Sequence, residues 1–171
     1  MESLNKMTVV VKDNGFGIKN VIIDEPKTYN SLSFKTLNIL IDIFKRLERD
    51  NKTRVIILSG NGKGFSAGHN LKEVKNLKVR SKYLKLFNLC SKLMLNIVEG
   101  RKPVIAKVHG SAFAAGCQLA ASCDLAYASV DAKFATPGVN IGLFCSTPMV
   151  AVSRKIGKKR MMKMLLTGEP I

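Results

Sequence analysis

The chain has 171 residues, 46% of them hydrophobic, and 28 Lys and Arg against 12 Asp and Glu give it a net charge of +16. That is enough for one domain with a real core, and no apolar run approaches the roughly 18 residues of a membrane-spanning helix. Four Cys without a CxxC pair, beside only two His, exclude a zinc site of ordinary spacing and leave Cys90, Cys117, Cys123 and Cys145 as reduced, buried small hydrophobes.

The basic surface attracts polyanions: nucleic acid, anionic membrane or phosphorylated small molecules. Aromatic residues make up 6% of the chain, and they do not interleave with the basic ones, which argues against a nucleic-acid module. Met1–Asp13 has no cationic region followed by an apolar one, so it does not read as a secretory signal. It has no Arg and contains Glu2, so it does not read as a mitochondrial presequence either.

In chain order, Thr8–Lys12 and Ile18–Asp24 read as a β-hairpin closed by the Gly-containing turn Asp13–Gly17. The polar loop Asp24–Asn30 follows. Ser31–Arg49 carries Leu32, Leu37, Leu40, Ile41, Phe44 and Leu47 at helical spacing, with Ser31 or Ser33 as N-cap. Val55–Leu58 is a short buried strand. A basic and apolar helix is expected over Lys82–Val98, ended by Gly100 and blocked by Pro103. Val104–Val108 and Leu125–Ala128 read as strands on either side of a helix ending near Ala121. Phe134–Leu143 reads as extended, Pro148–Ile156 and Lys159–Leu166 as helices, and Thr167–Ile171 as a loop. This alternation implies an α/β domain.

Two stretches rich in small residues stand out: Lys63–Lys72 (KGFSAGHNLK) and His109–Asp124 (HGSAFAAGCQLAASCD). Each follows an apolar strand and leads into a helix. Small side chains at a helix start leave backbone N–H groups uncovered, and the helix dipole adds partial positive charge. Two such loops side by side can hold one anionic oxygen, the layout of an oxyanion hole. Tight strand-to-helix packing also favours small residues at 64, 66, 67, 68, 114, 115 and 116. Lys72, Lys75, Lys78, Lys82 and Lys85 would form one basic stripe if the segment were a continuous helix. Arg154, Lys155, Lys158, Lys159, Arg160 and Lys163 form a second basic cluster.

These two stretches, with ATPGVNIGLFCSTPMVAVSR at Ala135–Arg154 and DEPKTYNSLS at Asp24–Ser33, resemble the crotonase superfamily, the enoyl-CoA hydratase/isomerase family. The resemblance runs from about Val9 to Ile171. It implies an α/β fold, a crotonase-type spiral of strand-strand-helix units. The chain is expected to be a single core domain over residues 1–171 that lacks the C-terminal helical part of the family. It also implies an acyl-CoA substrate with no separate cofactor, a mitochondrial setting (with a cytoplasmic one as the alternative), and a homotrimer or hexamer for which the C-terminal helices would be needed. Neither nucleic-acid binding nor a membrane span is expected.

Carried over by motif position, the oxyanion N–H groups fall on His69 and Ala115, and the CoA nucleotide rests against Ala67, Gly68, His69, Asn70, Leu71 and Lys72. Asn70 stands where the family usually has Asp. Hydratases of the family use two Glu for proton transfer. This chain has Gln118 and Gly138 at those positions, and neither an amide nor a hydrogen atom exchanges protons near neutral pH. Ordinary hydration is therefore not expected. Two alternatives remain open: a non-catalytic acyl-CoA-binding protein, and a decarboxylase-like activity using His69, whose Ser-Ala-Gly-His setting resembles that branch of the family.

Overall fold

The computed structural model describes residues 7–171, so the part of the N-terminal reading that falls on Met1–Lys6 lies outside the described residues. Two strands open the fold, β1 (Val9–Asp13) and β2 (Ile18–Ile23), paired antiparallel with Val11 opposite Val21. Helix α1 (Phe34–Arg49) follows, capped by Ser33, whose Oγ accepts the Thr36 N–H. Of the two Ser expected as cap, this is the second. β3 (Val55–Gly60) runs parallel to β2, β4 (Val104–Val108) parallel to β3, and β6 (Leu125–Ala128) parallel to β4. The five strands form one sheet in the order β1-β2-β3-β4-β6.

Strand periodicity decides which face is buried. In β4, Val104, Ala106 and Val108 are buried while Lys107 is exposed, the alternation of a sheet with one packed face. That face meets the apolar stripe of α1, in which Leu37, Leu40, Ile41, Phe44 and Leu47 are buried. Helix α3 (Arg80–Val98) adds Leu86, Cys90, Leu93, Met94 and Ile97 to the same core.

A second, smaller sheet was not legible in the sequence. β5 (Ser111–Phe113) lies inside the second small-residue stretch and pairs parallel with β7 (Lys133–Ala135). Ser66 continues this sheet on one side through a parallel bridge to Ala112. On the other side Phe134 and Ile171 exchange backbone hydrogen bonds of 2.9 Å, so the expected C-terminal loop is tied down at Ile171. The segment expected to be extended over Phe134–Leu143 is β7 followed by a 3-10 turn at Pro137–Ile141. α4 (Ala115–Ser122), α5 (Ser146–Val152) and α6 (Lys158–Thr167) close around a second core of Cys117, Cys145, Val152, Met161, Met164 and Leu165. α5 ends at Val152, short of the expected Ile156.

The continuous basic stripe is corrected. A short helix, α2 (Leu71–Lys75), ends at Asn76, and Lys78 takes a positive φ of 44° before α3 starts at Arg80. Lys72 and Lys75 therefore belong to one helix, Lys82 and Lys85 to another, and Lys78 to the break between them. All four Cys are free and buried, as expected. No helix among the described residues is long and apolar enough to cross a membrane.

Candidate functional site

The fold brings the two small-residue stretches together. The Phe65 N–H donates to the His109 carbonyl, Ser66 N–H to Ser111 O, and Phe113 N–H to Ser66 O, at 2.9–3.0 Å. Glycine is required where they touch. A Cβ on Gly116 would overlap the Ser66 carbonyl, and one on Gly68, whose φ is +88°, would lie 2.8 Å from Phe113 O and 3.0 Å from the Ala115 nitrogen. Both would force the loops apart.

Asn30 holds the first loop from behind. It is fully buried, and its amide donates to Asn61 O at 2.8 Å and Gly64 O at 2.7 Å while its oxygen accepts the Glu25 N–H. The Ser66 hydroxyl donates to Asn30 O at 2.8 Å and accepts the Gly68 N–H. Leu32 N–H donates to Gly68 O at 2.7 Å, so the segment after Asn30 runs parallel beside His69. Past the loop, Asn70 caps α2 by accepting the Lys72 and Glu73 N–H groups, and the Glu73 carboxylate accepts the Phe34 N–H at 2.9 Å. Asn70 thus has a local structural task.

The second loop enters α4 through Ala114, a non-glycine residue at φ 49° and ψ −118°. That backbone conformation costs about 1–3 kcal/mol. It is held by the Ala114 N–H donating to Ala135 O, and it aims Ala115 toward Gly68. Among the described residues, neither the His69 N–H nor the Ala115 N–H has a hydrogen-bond acceptor.

His69 and Ala115 line one cavity of about 270 Å³, with Phe87, Phe144, Cys145 and Thr147 among its other walls. The His69 ring stands edge-on to Phe87, with centroids 5.5 Å apart, and its Nδ1 lies 3.4 Å from Leu32 O. Burial lowers its pKa below the ordinary 6.5, against a smaller upward pull from the Leu32 carbonyl. The imidazole is therefore neutral near pH 7. Cys145 keeps its proton, because burial raises its pKa more than the Gly138 N–H lowers it.

The other expected site residues are placed differently. Gln118 is buried on α4 and lines a neighbouring cavity of about 460 Å³, which shares Thr147 with the first. Gly138 is buried, and a Cβ there would overlap Leu143 O and lie 2.7 Å from the Cys145 Sγ. Position 138 is thus closed by the Leu143 carbonyl and the Cys145 side chain. Ala67 commits its N–H to Tyr29 O. Leu71 and Lys72 are exposed on α2. Asn30, Phe87 and Thr147 were not singled out in the sequence. The Asn30-x-Leu32 match was the available signal for the first, and nothing in α3 distinguished Phe87 from its apolar neighbours.

The sequence model of the enoyl-CoA hydratase/isomerase family matches residues 13–171. The chain belongs to the enoyl-CoA hydratase/isomerase family. Human enoyl-CoA hydratase domain-containing protein 3, mitochondrial, is 48% identical over 155 residues, which cover 91% of this chain and 51% of the human protein. The crystal structure of that human protein superposes with a TM-score of 0.92 at 45% identity, covering 96% of this chain and 65% of the other. An enoyl-CoA hydratase from Mycobacterium smegmatis superposes with a TM-score of 0.95 at 44% identity, covering 97% and 65%. The chain therefore spans about half the length of the curated relatives it matches. Its fold is the mixed α/β crotonase fold over about two thirds of the solved relatives' chains.

Proposed function

We propose that the protein binds an acyl-CoA thioester in the His69–Ala115 cavity and stabilises the enolate form of its carbonyl through the His69 and Ala115 N–H groups. The observation that carries this reading is the meeting of two unpartnered backbone donors from separate loops at one cavity. When an α-carbon gains or loses a proton, charge develops on the thioester oxygen. A preorganised donor aimed at such an oxygen is worth about 2.7–4 kcal/mol in hydrolases. Backbone donors here are held by Asn30, Ser66 and the tight Gly68 and Gly116 contacts, so they need no reorganisation.

Hydration in addition requires side chains that move protons. Gln118 and Gly138 supply none, and neutral His69 is a weak acid near pH 7. The reading is thus a thioester-binding, enolate-stabilising site without hydratase activity. It needs no cofactor besides the coenzyme A carried by the substrate. The names of the relatives support a mitochondrial setting. Titration with crotonyl-CoA, followed by ultraviolet assay of its double bond, tests the proposal. Saturable binding without loss of the enoyl absorbance is expected; absence of binding by the folded protein contradicts it.

A further inference from the structure

A second cavity adjoins the His69 cavity at α5. Thr147, in the first turn of that helix, stands on the wall of both cavities. The second cavity, about 460 Å³, lies between α3, α4 and α5. At its inner wall is Gln118, only 6% exposed, whose Oε1 has no hydrogen-bond partner. That oxygen can only accept, so neither a methylene chain nor a carboxylate satisfies it, and Gln118 serves here as a wall of the cavity. Between the ends run Met94, Leu95, Val98 and Val150, which suit a methylene chain. At the outer end stand Arg154 and Lys155, and neither forms an ion pair among the described residues. The one carboxylate on this wall, Asp124, accepts the Val104 N–H through Oδ2 at 2.7 Å.

We propose that the second cavity receives the far end of the acyl group and that this end carries a carboxylate. The substrate class is then a CoA monothioester of a medium-chain dicarboxylic acid, with Arg154 as the residue that pairs with the free carboxylate. This rests on the thioester being seated at His69 and Ala115. The planar guanidinium matches a carboxylate in two parallel hydrogen bonds, which a fatty acyl chain ending in a methyl group cannot use. Gln118 lies beside the path the chain must follow.

Calorimetric titration with octanoyl-CoA and with suberoyl-CoA, its counterpart bearing a terminal carboxylate, tests this. The unaltered protein should bind suberoyl-CoA about tenfold more tightly, the equivalent of one charge-assisted contact. Arg154→Gln should abolish the difference by weakening suberoyl-CoA binding. Lys159→Gln removes the same charge from an exposed position on α6 and should leave the difference intact. Equal affinities in the unaltered protein overturn the inference and leave the acyl-CoA reading standing. So does a preference that survives in Arg154→Gln or that Lys159→Gln removes. Failure of both thioesters to bind overturns the inference and the acyl-CoA reading together.

Discussion

The first small-residue loop is held by side chains, the second by backbone and close contact. Asn30, Ser66 and Glu73 reach the first loop and the helix behind it through hydrogen bonds that a single substitution can remove. In the second loop side-chain ties to other segments stand only at the two ends, His109 Nε2 to Gly62 O at 2.8 Å and Asp124 Oδ2 to the Val104 N–H, and the turn into α4 has none among the described residues. It is fixed by Phe113 N–H to Ser66 O, by Ala114 N–H to Ala135 O, and by Gly116 pressed on the Ser66 carbonyl. The first loop is therefore adjustable in steps through Asn30 and Ser66, whereas the second, at Gly116, tolerates no added atom. Two donors can share one oxygen only if the loops keep a fixed spacing, and these are two physical ways of fixing it.

The contrast is broken hardest at Gly116. Gly116→Val places a branched side chain where a single carbon already overlaps Ser66 O. It should destabilise the fold by about 3 kcal/mol or more, read from the midpoint of denaturant unfolding, and abolish acyl-CoA binding. Asn30→Ala comes next. It strands the buried carbonyl of Gly64 and the Glu25 N–H and places Ala at a φ of 54°. A loss of about 2–3 kcal/mol is expected, with acyl-CoA affinity falling as the first loop loosens. Ser66→Ala removes the bond to Asn30 O and the acceptor of the Gly68 N–H and should cost about 1–2 kcal/mol, weakening binding without unfolding.

Ala114→Gly acts in the opposite direction on stability. Glycine adopts the positive φ at 114 without steric cost, so the variant should be more stable by up to about 1 kcal/mol. Because Ala115 is then less firmly aimed, acyl-CoA affinity should fall, and this divergence of stability from binding is the readout. The smallest effect is the pH dependence from His69. Its folded pKa is depressed by burial, so the unfolded chain binds the proton more readily. The stabilisation it contributes is complete above pH about 6.5 and is lost as pH falls toward the folded value. A His69→Gln variant should lack that component in unfolding measured across this range.

The main sheet was legible because its residues state their own period. The hairpin of β1 and β2, the Ser33 cap and the strands β3, β4 and β6 all fall within a few residues of expectation. The small sheet was hidden because β5 and β7 are only three residues long each and lie among Gly, Ala and Thr, whose composition signals a loop. The break between α2 and α3 was hidden because Leu77 and Val79 keep the apolar pattern while Lys78 takes a left-handed conformation. At the site, motif position was enough to bring His69 and Ala115 to one cavity. It did not foretell that Gln118 would turn to the next cavity, since the rotation of α4 is set by Gly116 against Ser66, a contact between distant segments. The closure of position 138 was hidden for another reason: the 3-10 turn at Pro137–Ile141 folds Leu143 O and Cys145 back onto it.

One oxygen held by two backbone donors should perturb both amides at once. Amide nitrogen–proton spectra recorded during titration with an acyl-CoA test it most directly. The His69 and Ala115 amide protons should move downfield together and saturate at the same ligand concentration. Binding that leaves either amide proton in place would contradict shared donation to one oxygen.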